Sequence, residues 1–337
     1  MDDVLVLWDI DGTLLNAGGV GRDLYDVVFS QLFGRSLSAY APMAGRTDRA
    51  IILETLVLAG VDEPRRYVDP FIAGLGAHAS SVRTAVEARG RALPGAAEVL
   101  AALASAHSLG SLASIGVGQT GLAGLASGPV GGGPRADGRA GTVDAPAGAR
   151  VPVGVGSVAA GTAGTVLGAS AGVPAPQGVP GRLRADGPSG ADGGTGVADG
   201  FAAGGGVTAI RVHQSVLTGN IRSVAEMKLA ALGLREGLDL CIGAYGDDHE
   251  DRTELVQVAR RRAAAVHGRT PAAFDGTSTV VVGDTPLDIL AALAADARAV
   301  GVATGTYPAA ELTAAGAHAV LPDLTDTTVV LSALLDC

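Results

Sequence analysis

Asp9 and Asp11, two carboxylates one residue apart, stand directly behind the apolar run Val4-Leu5-Val6-Leu7-Trp8 and directly before Gly12-Thr13. The run has the length and branching of a buried strand, and Gly12 with the small polar residue after it ends that strand in a turn. Side chains alternate along a strand, so Asp9 and Asp11 face the same way, into the crevice beyond the strand ends where open α/β sheets hold their ligands. Such a pair suits a nucleophile working beside a group that gives and takes a proton. The plainer use of Asp and Gly at this place is to cap a strand end.

Two further strand ends repeat the scheme. His213-Gln214-Ser215-Val216-Leu217 runs into Thr218-Gly219-Asn220, which offers a hydroxyl, a tight backbone and free amides at a helix start, as a phosphate dianion requires. A simple N-cap accounts for these residues as well. Val280-Val281-Val282-Gly283 runs into Asp284-Thr285-Pro286, and Asp288 follows four residues after Asp284, near enough to join the same pocket. Two carboxylates about 4 Å apart repel by roughly 4 kcal/mol at an effective dielectric near 20. Hard oxygen ligands at neighbouring strand ends suit magnesium, which takes few protein carboxylates and keeps several waters.

Two cations compete for the place opposite a phosphoryl group. Lys228 is the only lysine in the chain, and it lies roughly 10 Å along a helix that starts near Ile221, a long reach back to the turn. Arg252 opens the helix led by Gly246-Asp247-Asp248-His249-Glu250-Asp251. That acidic run reads chiefly as helix N-terminal chemistry, with Asp251 and Glu254 at capping-box spacing and Arg260-Arg261-Arg262 at the far end.

The elements that must position these groups fall into three compositional pieces. Residues 1 to about 105 give the first strand and helical patterns near Arg22 to Phe33, Asp48 to Ala59, Arg66 to Arg89 and Ala96 to Ala104. From about residue 212 the strand-like runs His213 to Leu217, Leu238 to Ile242, Thr279 to Val282 and Ala299 to Ala303 alternate with helical runs from Asn220, Asp251, Pro286 and Pro308. Such alternation predicts an α/β fold with a parallel, doubly wound, Rossmann-like sheet. Between them, Ala106 to Arg211 holds more than half of the chain's 51 glycines, no lysine and no glutamate. Small side chains there bury too little to offset roughly 1–2 kcal/mol per residue of backbone ordering, so the stretch reads as a low-complexity, disordered insertion. Out-of-frame translation of GC-rich DNA would produce the same mixture.

A chain of 337 residues with 47% apolar content has ample material for a core. Its net charge of −10 disfavours nucleic acid or an anionic membrane as the main partner. Cys241 and Cys337 form no disulfide framework or metal-ligand spacing, and the first strand starts at once without a secretion signal, so the expected compartment is the cytoplasm.

Asp9-x-Asp11-Gly12-Thr13, Thr218-Gly219-Asn220 and Gly283-Asp284-x-x-x-Asp288, in this order, resemble the haloacid dehalogenase-like superfamily of phosphohydrolases, more narrowly its phosphoglycolate-phosphatase-like branch. The resemblance implies a Rossmann-like core from residues 1–15, 94–105 and 212–337, a helical cap at 16–93 and an insertion at 106–211. It implies a magnesium-dependent phosphomonoesterase for a small phosphorylated metabolite. Asp9 would be the nucleophile that forms an aspartyl-phosphate, and Asp11 the acid and then the base. Asp9, the carbonyl of Asp11 and Asp284 would hold magnesium, with Asp288 supporting its waters. Thr218, Gly219 and Asn220 would bind phosphoryl oxygens, and Gly45-Arg46-Thr47-Asp48 resembles the substrate-facing cap loop. Many relatives carry a Lys-Pro pair where this chain has Arg252, which leaves Lys228 and Arg252 both open as the phosphate-facing cation. A phosphosugar mutase of the same superfamily is the alternative enzyme, and a non-catalytic binding protein the alternative outside enzymes.

Overall fold

The computed structural model describes residues 2–109 and 210–335. Its main sheet has five parallel strands in the order β4-β1-β5-β6-β7, formed by Ile210–Val216 (β4), Asp2–Trp8 (β1), Thr279–Gly283 (β5), Arg298–Val302 (β6) and Ala319–Leu321 (β7). Both faces of β1 are apolar and each feeds a different core. Val4, Val6 and Trp8 pack with the helix Ala96–Leu109 (α5), with Arg222–Ala231 (α6) and with Thr327–Leu335 (α10). Leu5 and Leu7 pack on the opposite side with Thr253–His267 (α7), Pro286–Ala294 (α8) and Ala309–Ala314 (α9). Helices therefore cover both faces, as the run of consecutive apolar residues in β1 requires.

Register sets the site. Trp8 lies opposite Val216 on one side and Val282 on the other, so the chain leaves all three strands at one level. The sheet order reverses beside β1, the kind of place where an open α/β sheet leaves a crevice.

Between β1 and α5 the chain forms a helical unit, from Val20–Phe33 (α1), Asp48–Leu58 (α2), Val68–His78 (α3) and Arg83–Arg89 (α4). It has its own core, in which Leu24, Phe29, Ile52, Leu56, Phe71 and Leu75 meet Ile221 and Val224 of the α6 segment. A short antiparallel pair, Leu15–Asn16 (β2) with Arg91–Ala92 (β3), closes its base.

Several elements differ from the sequence reading. The helix expected over Arg66 to Arg89 is broken after His78 by a 3₁₀ turn at Ala79–Val82. There Ser81 Oγ donates to the His78 carbonyl at 2.7 Å, the local bond through which serine competes with a helix. The strand expected over Leu238 to Ile242 is a string of turns. Its Asp239 side chain accepts from Cys241 N–H at 3.0 Å, and only an isolated Leu217–Ala244 bridge forms beside β4. Helix α5 continues to Leu109 and β4 begins at Ile210, so ordered elements extend into both ends of the stretch read as an insertion. The rest of that stretch, 110–209, lies outside the described residues. No helix of the described residues is long and apolar enough to cross a membrane.

Arg260 does not serve the helix dipole. It turns inward, 3% exposed, and donates to Thr279 Oγ1 at 3.0 Å, the Ala295 carbonyl at 2.8 Å and the Gly276 carbonyl at 3.2 Å. Arg262 instead forks onto Asp248 at 2.6 and 2.7 Å. Replacing Arg260 strands three acceptors around β5. Arg260→Ala is therefore expected to lower the unfolding free energy by about 2–4 kcal/mol, measured by urea denaturation, whereas a change under about 0.5 kcal/mol would remove this brace from the account.

Candidate active site

The level strand ends bring the three motifs into one cavity of about 530 Å³, lined by Asp9, Asp11, Thr218, Gly219, Asn220 and Asp284 among others. Asp9 follows β1, and its N–H donates to the Val282 carbonyl of β5 at 2.8 Å, which fixes its height. Gly12 turns the chain at φ 95° beneath Asp284; a Cβ there would lie 2.3 Å from Asp284 Oδ2, so the first and third motifs touch only because this residue is glycine. Thr13 Oγ1 donates to Asp284 Oδ1 at 3.3 Å.

The two carboxylates of the first motif receive different partners. Arg252 Nη2 donates to Asp9 Oδ1 at 2.8 Å, to the Leu217 carbonyl at 3.2 Å, and to Asp288 Oδ1. Asp11 Oδ2 accepts from Lys228 Nζ at 2.6 Å and from Asn220 Nδ2 at 2.7 Å, while Lys228 Nζ also donates to Asn220 Oδ1 at 2.7 Å. The long reach of Lys228 is thus met. Asp11 sits beyond the strand end, Lys228 is only 4% exposed, and its extended side chain lies against buried surface with the ammonium at the cavity. Asn220 links this group to the second motif through a bond from its Nδ2 to Thr218 Oγ1 at 2.8 Å.

Asp9, Asp284 and Asp288 are all buried, and each offers an oxygen within 4.8 Å of the others. Asp288 has both oxygens in use: Oδ1 faces Arg252, and Oδ2 accepts from Thr285 N–H at 3.0 Å and Thr285 Oγ1 at 2.7 Å in a reciprocal cap on α8. Burial, then the charge of Asp288, pushes the Asp9 carboxyl well above the ordinary range, against the pull of Arg252. The same two causes push Asp284 up to about 7, against its hydrogen bonds and Arg252. Arg252 is held cationic: burial opposes its charge, but Asp288 and Asp9 outweigh that.

Of the residues expected from the sequence, Asp288 stands behind the cavity lining, and Arg46 has its guanidinium engaged elsewhere. It lines the cavity but pairs with Glu54 at 2.6 Å and donates to the Pro42 carbonyl at 3.2 Å. Thr304 and Gly305 were not anticipated. Thr304 Oγ1 donates to the Gly12 carbonyl at 2.6 Å, and a Cβ on Gly305 would stand 1.7 Å from Asp284 Oδ2. The signal was present, for Thr304-Gly305-Thr306 is again a small polar turn after a strand, β6. Asp251, expected to form a capping box with Glu254, instead accepts from Thr253 N–H at 2.9 Å and Thr253 Oγ1 at 2.8 Å.

Residues 255–327 match the model of the HAD-hydrolase-like family, a segment that includes Asp284 and Asp288. No curated protein is similar enough to the chain to count as a match. Similar solved structures include a predicted phosphatase from Clostridium acetobutylicum, at 11% identity, TM-score 0.48 and coverage of 98% of this chain and 100% of the other. A hydrolase from Pseudomonas syringae is similar at 16% identity and TM-score 0.48, covering 98% of each chain. A candidate β-phosphoglucomutase from Bacteroides vulgatus is similar at 12% identity and TM-score 0.45, covering 99% and 89%.

The raised carboxyls make stability depend on pH. In the folded protein Asp9 and Asp284 both hold a proton more tightly than in the unfolded chain, and the contribution of Asp284 is fully present below about pH 4 and is lost as pH rises through about 7. Without divalent cations, the urea midpoint should fall between about pH 5 and about pH 8, and Asp284→Asn should flatten that fall. A wild-type midpoint that rises over the interval, with the variant parallel to it, would contradict this electrostatic picture.

Proposed function

We propose that this chain, of which residues 255–327 match the HAD-hydrolase-like family model, is a haloacid dehalogenase-like, magnesium-dependent phosphomonoesterase acting on a small phosphorylated metabolite through an aspartyl-phosphate. The observation that carries the reading is the division of partners between Asp9 and Asp11 in one cavity. Asp9, bonded to a permanent cation and beside Asp284, suits an anionic nucleophile once a divalent cation offsets the neighbouring carboxylates. Asp11, held by Asn220 and Lys228, suits a group that exchanges a proton.

In the first half-reaction an Asp9 oxygen attacks phosphorus, a new O–P bond forms and the ester P–O bond breaks. The departing alkoxide takes the proton of Asp11 and leaves as an alcohol. In the second half, Asp11 takes a proton from water as that water attacks phosphorus, and the Asp9–phosphoryl bond breaks to release inorganic phosphate. Thr218, the amides of the Gly219-Asn220 turn and Lys228 bind phosphoryl oxygens, Arg252 holds and orients Asp9, and the helices of 16–93 serve as a cap. Arg46, engaged by Glu54, stands at the cavity wall and not at the phosphoryl group.

The donor set fits a hard divalent cation. Arg252 bonds Asp9 and Asp288, the third buried carboxylate, Asp284, has an oxygen within 4.8 Å of theirs, and it fits there because Gly12 and Gly305 carry no Cβ. Asp9, Asp284 and the carbonyl of Asp11 would hold magnesium, and Asp288, with both oxygens already accepting, would act from behind them. When bound, the ion keeps Asp9 ionised and offsets charge on the transferring group.

With p-nitrophenyl phosphate and magnesium, Asp9→Asn is expected to lower kcat by at least about a thousandfold and Asp11→Asn by about a hundredfold or more. Chelation should abolish turnover in the wild type. Asp9→Asn keeping more than about a tenth of wild-type activity, or full activity in excess chelator, would remove the mechanism. A requirement for a bisphosphate activator would point to the mutase instead.

The partners also rank the two cations. Arg252 Nη2 alone bonds Asp9, Asp288 and the Leu217 carbonyl, so its cation ties the nucleophile to two other strand ends at once, and a lysine ammonium on a flexible stem does not hold that position. Arg252→Lys is therefore expected to lower kcat more than Lys228→Arg, with both proteins folded by circular dichroism. The reverse order would contradict the role given to Arg252 in holding Asp9.

A further inference from the structure

One buried carboxylate joins the helical unit to the second motif. Asp48, the first residue of α2 and 8% exposed, accepts from Tyr25 Oη of α1 at 2.7 Å and from the backbone N–H of Ile221 at 2.8 Å. Its own N–H donates to the Gly219 carbonyl at 2.7 Å. Beside it, Thr47 Oγ1 donates to the Glu250 carbonyl at 2.6 Å, and Gly246 N–H donates to the Asn220 carbonyl at 2.8 Å. Three backbone segments, near residues 46–48, 219–221 and 246, thus meet at one point. They meet because two of them lack side chains: a Cβ on Gly219 would lie 1.9 Å from the Arg46 carbonyl oxygen, and one on Gly246 would lie 1.7 Å from that of Gly219.

An acidic residue in a first turn ordinarily favours the amides of its own helix. Thr47 already does so here, its Oγ1 accepting from Ala50 N–H at 3.3 Å, and Asp48 points the other way. Burying a carboxylate is expensive unless it is bonded. Burial pushes the Asp48 carboxyl up, while Tyr25, the Ile221 amide and the charge of Lys228 pull it down. The amide it holds belongs to the residue directly after Asn220, the side chain that bonds both Asp11 and Lys228.

We infer that Asp48 is a positioning residue: by gripping Ile221 N–H and closing on Gly219, it fixes the Thr218–Asn220 turn so that Asn220 sets Asp11 and Lys228. Docking of the helical unit and alignment of the proton-transferring carboxylate are then one event. The kinetic consequence rests on the phosphomonoesterase reading, whereas the structural one does not.

Hydrogen exchange and kinetics on the full-length protein test it together. In Asp48→Ala, amides of residues 218–222 should exchange about tenfold or more faster while those of β5 and α8 keep their protection. With p-nitrophenyl phosphate, kcat should fall by about ten- to a hundredfold, more than KM changes. Adding Asp48→Ala to Asn220→Ala should cost little beyond Asn220→Ala alone, since both act through one turn. Unchanged exchange at 218–222, or kcat losses that multiply independently, would overturn the assignment. If Asp48→Ala does not fold, Asp48→Asn and Tyr25→Phe are measured in the same way and should give smaller shifts of the same pattern. Absence of wild-type phosphatase activity would sink the phosphomonoesterase reading, and the exchange data would still decide the role of Asp48.

Discussion

One guanidinium among three buried carboxylates is the constraint from which the rest of the site follows. Arg252 bonds Asp9 and Asp288, and Asp284 stands close enough to share a cation with both. Each carboxylate lost solvent on folding, and a single arginine cannot balance all of them. The surplus negative charge must be met by protons or by an added cation. The proposed magnesium chemistry and the expected pH dependence of stability therefore rest on one arrangement. The fold supplies that arrangement through register: Trp8, Val216 and Val282 end their strands side by side, and α7 begins where Arg252 can reach across them.

The two aspartates of the first motif are chemically separate despite their spacing. Asp9 is buried against a fixed cation. Asp11 is more open, with its side chain 40% exposed, and is held by Asn220 and Lys228. Sequence alternation predicts that the two face one cavity, and they do, but it does not assign their partners. That assignment comes from Asn220 and Lys228 on one side and Arg252 on the other, more than 200 residues away along the chain, and it gives two neighbouring carboxylates different partners.

Much of this was legible in the sequence because it is written in local chemistry. The apolar runs that became β1, β4, β5 and β6 each announce themselves within a few residues. What escaped was set by distant contacts. Leu238 to Ile242 has the composition of a strand, yet the Asp239 turn and the neighbouring glycines keep it out of the ladder. Arg260 looked like helix-end charge and is a buried brace. The distance argument against Lys228 counted residues along its own helix and had no means of placing Asp11. Asp48 was visible as a helix start, but nothing local says that its carboxylate serves Ile221.

The most direct test of the account is to look for the covalent intermediate. Protein quenched in acid during turnover of a phosphomonoester with magnesium, digested and sequenced by mass spectrometry, should carry a phosphoryl group on Asp9, accumulating further in Asp11→Asn because the water step lacks its base. A phosphoryl group on any other residue, or none on Asp9 in an Asp11→Asn protein that still releases alcohol from the substrate, would contradict it.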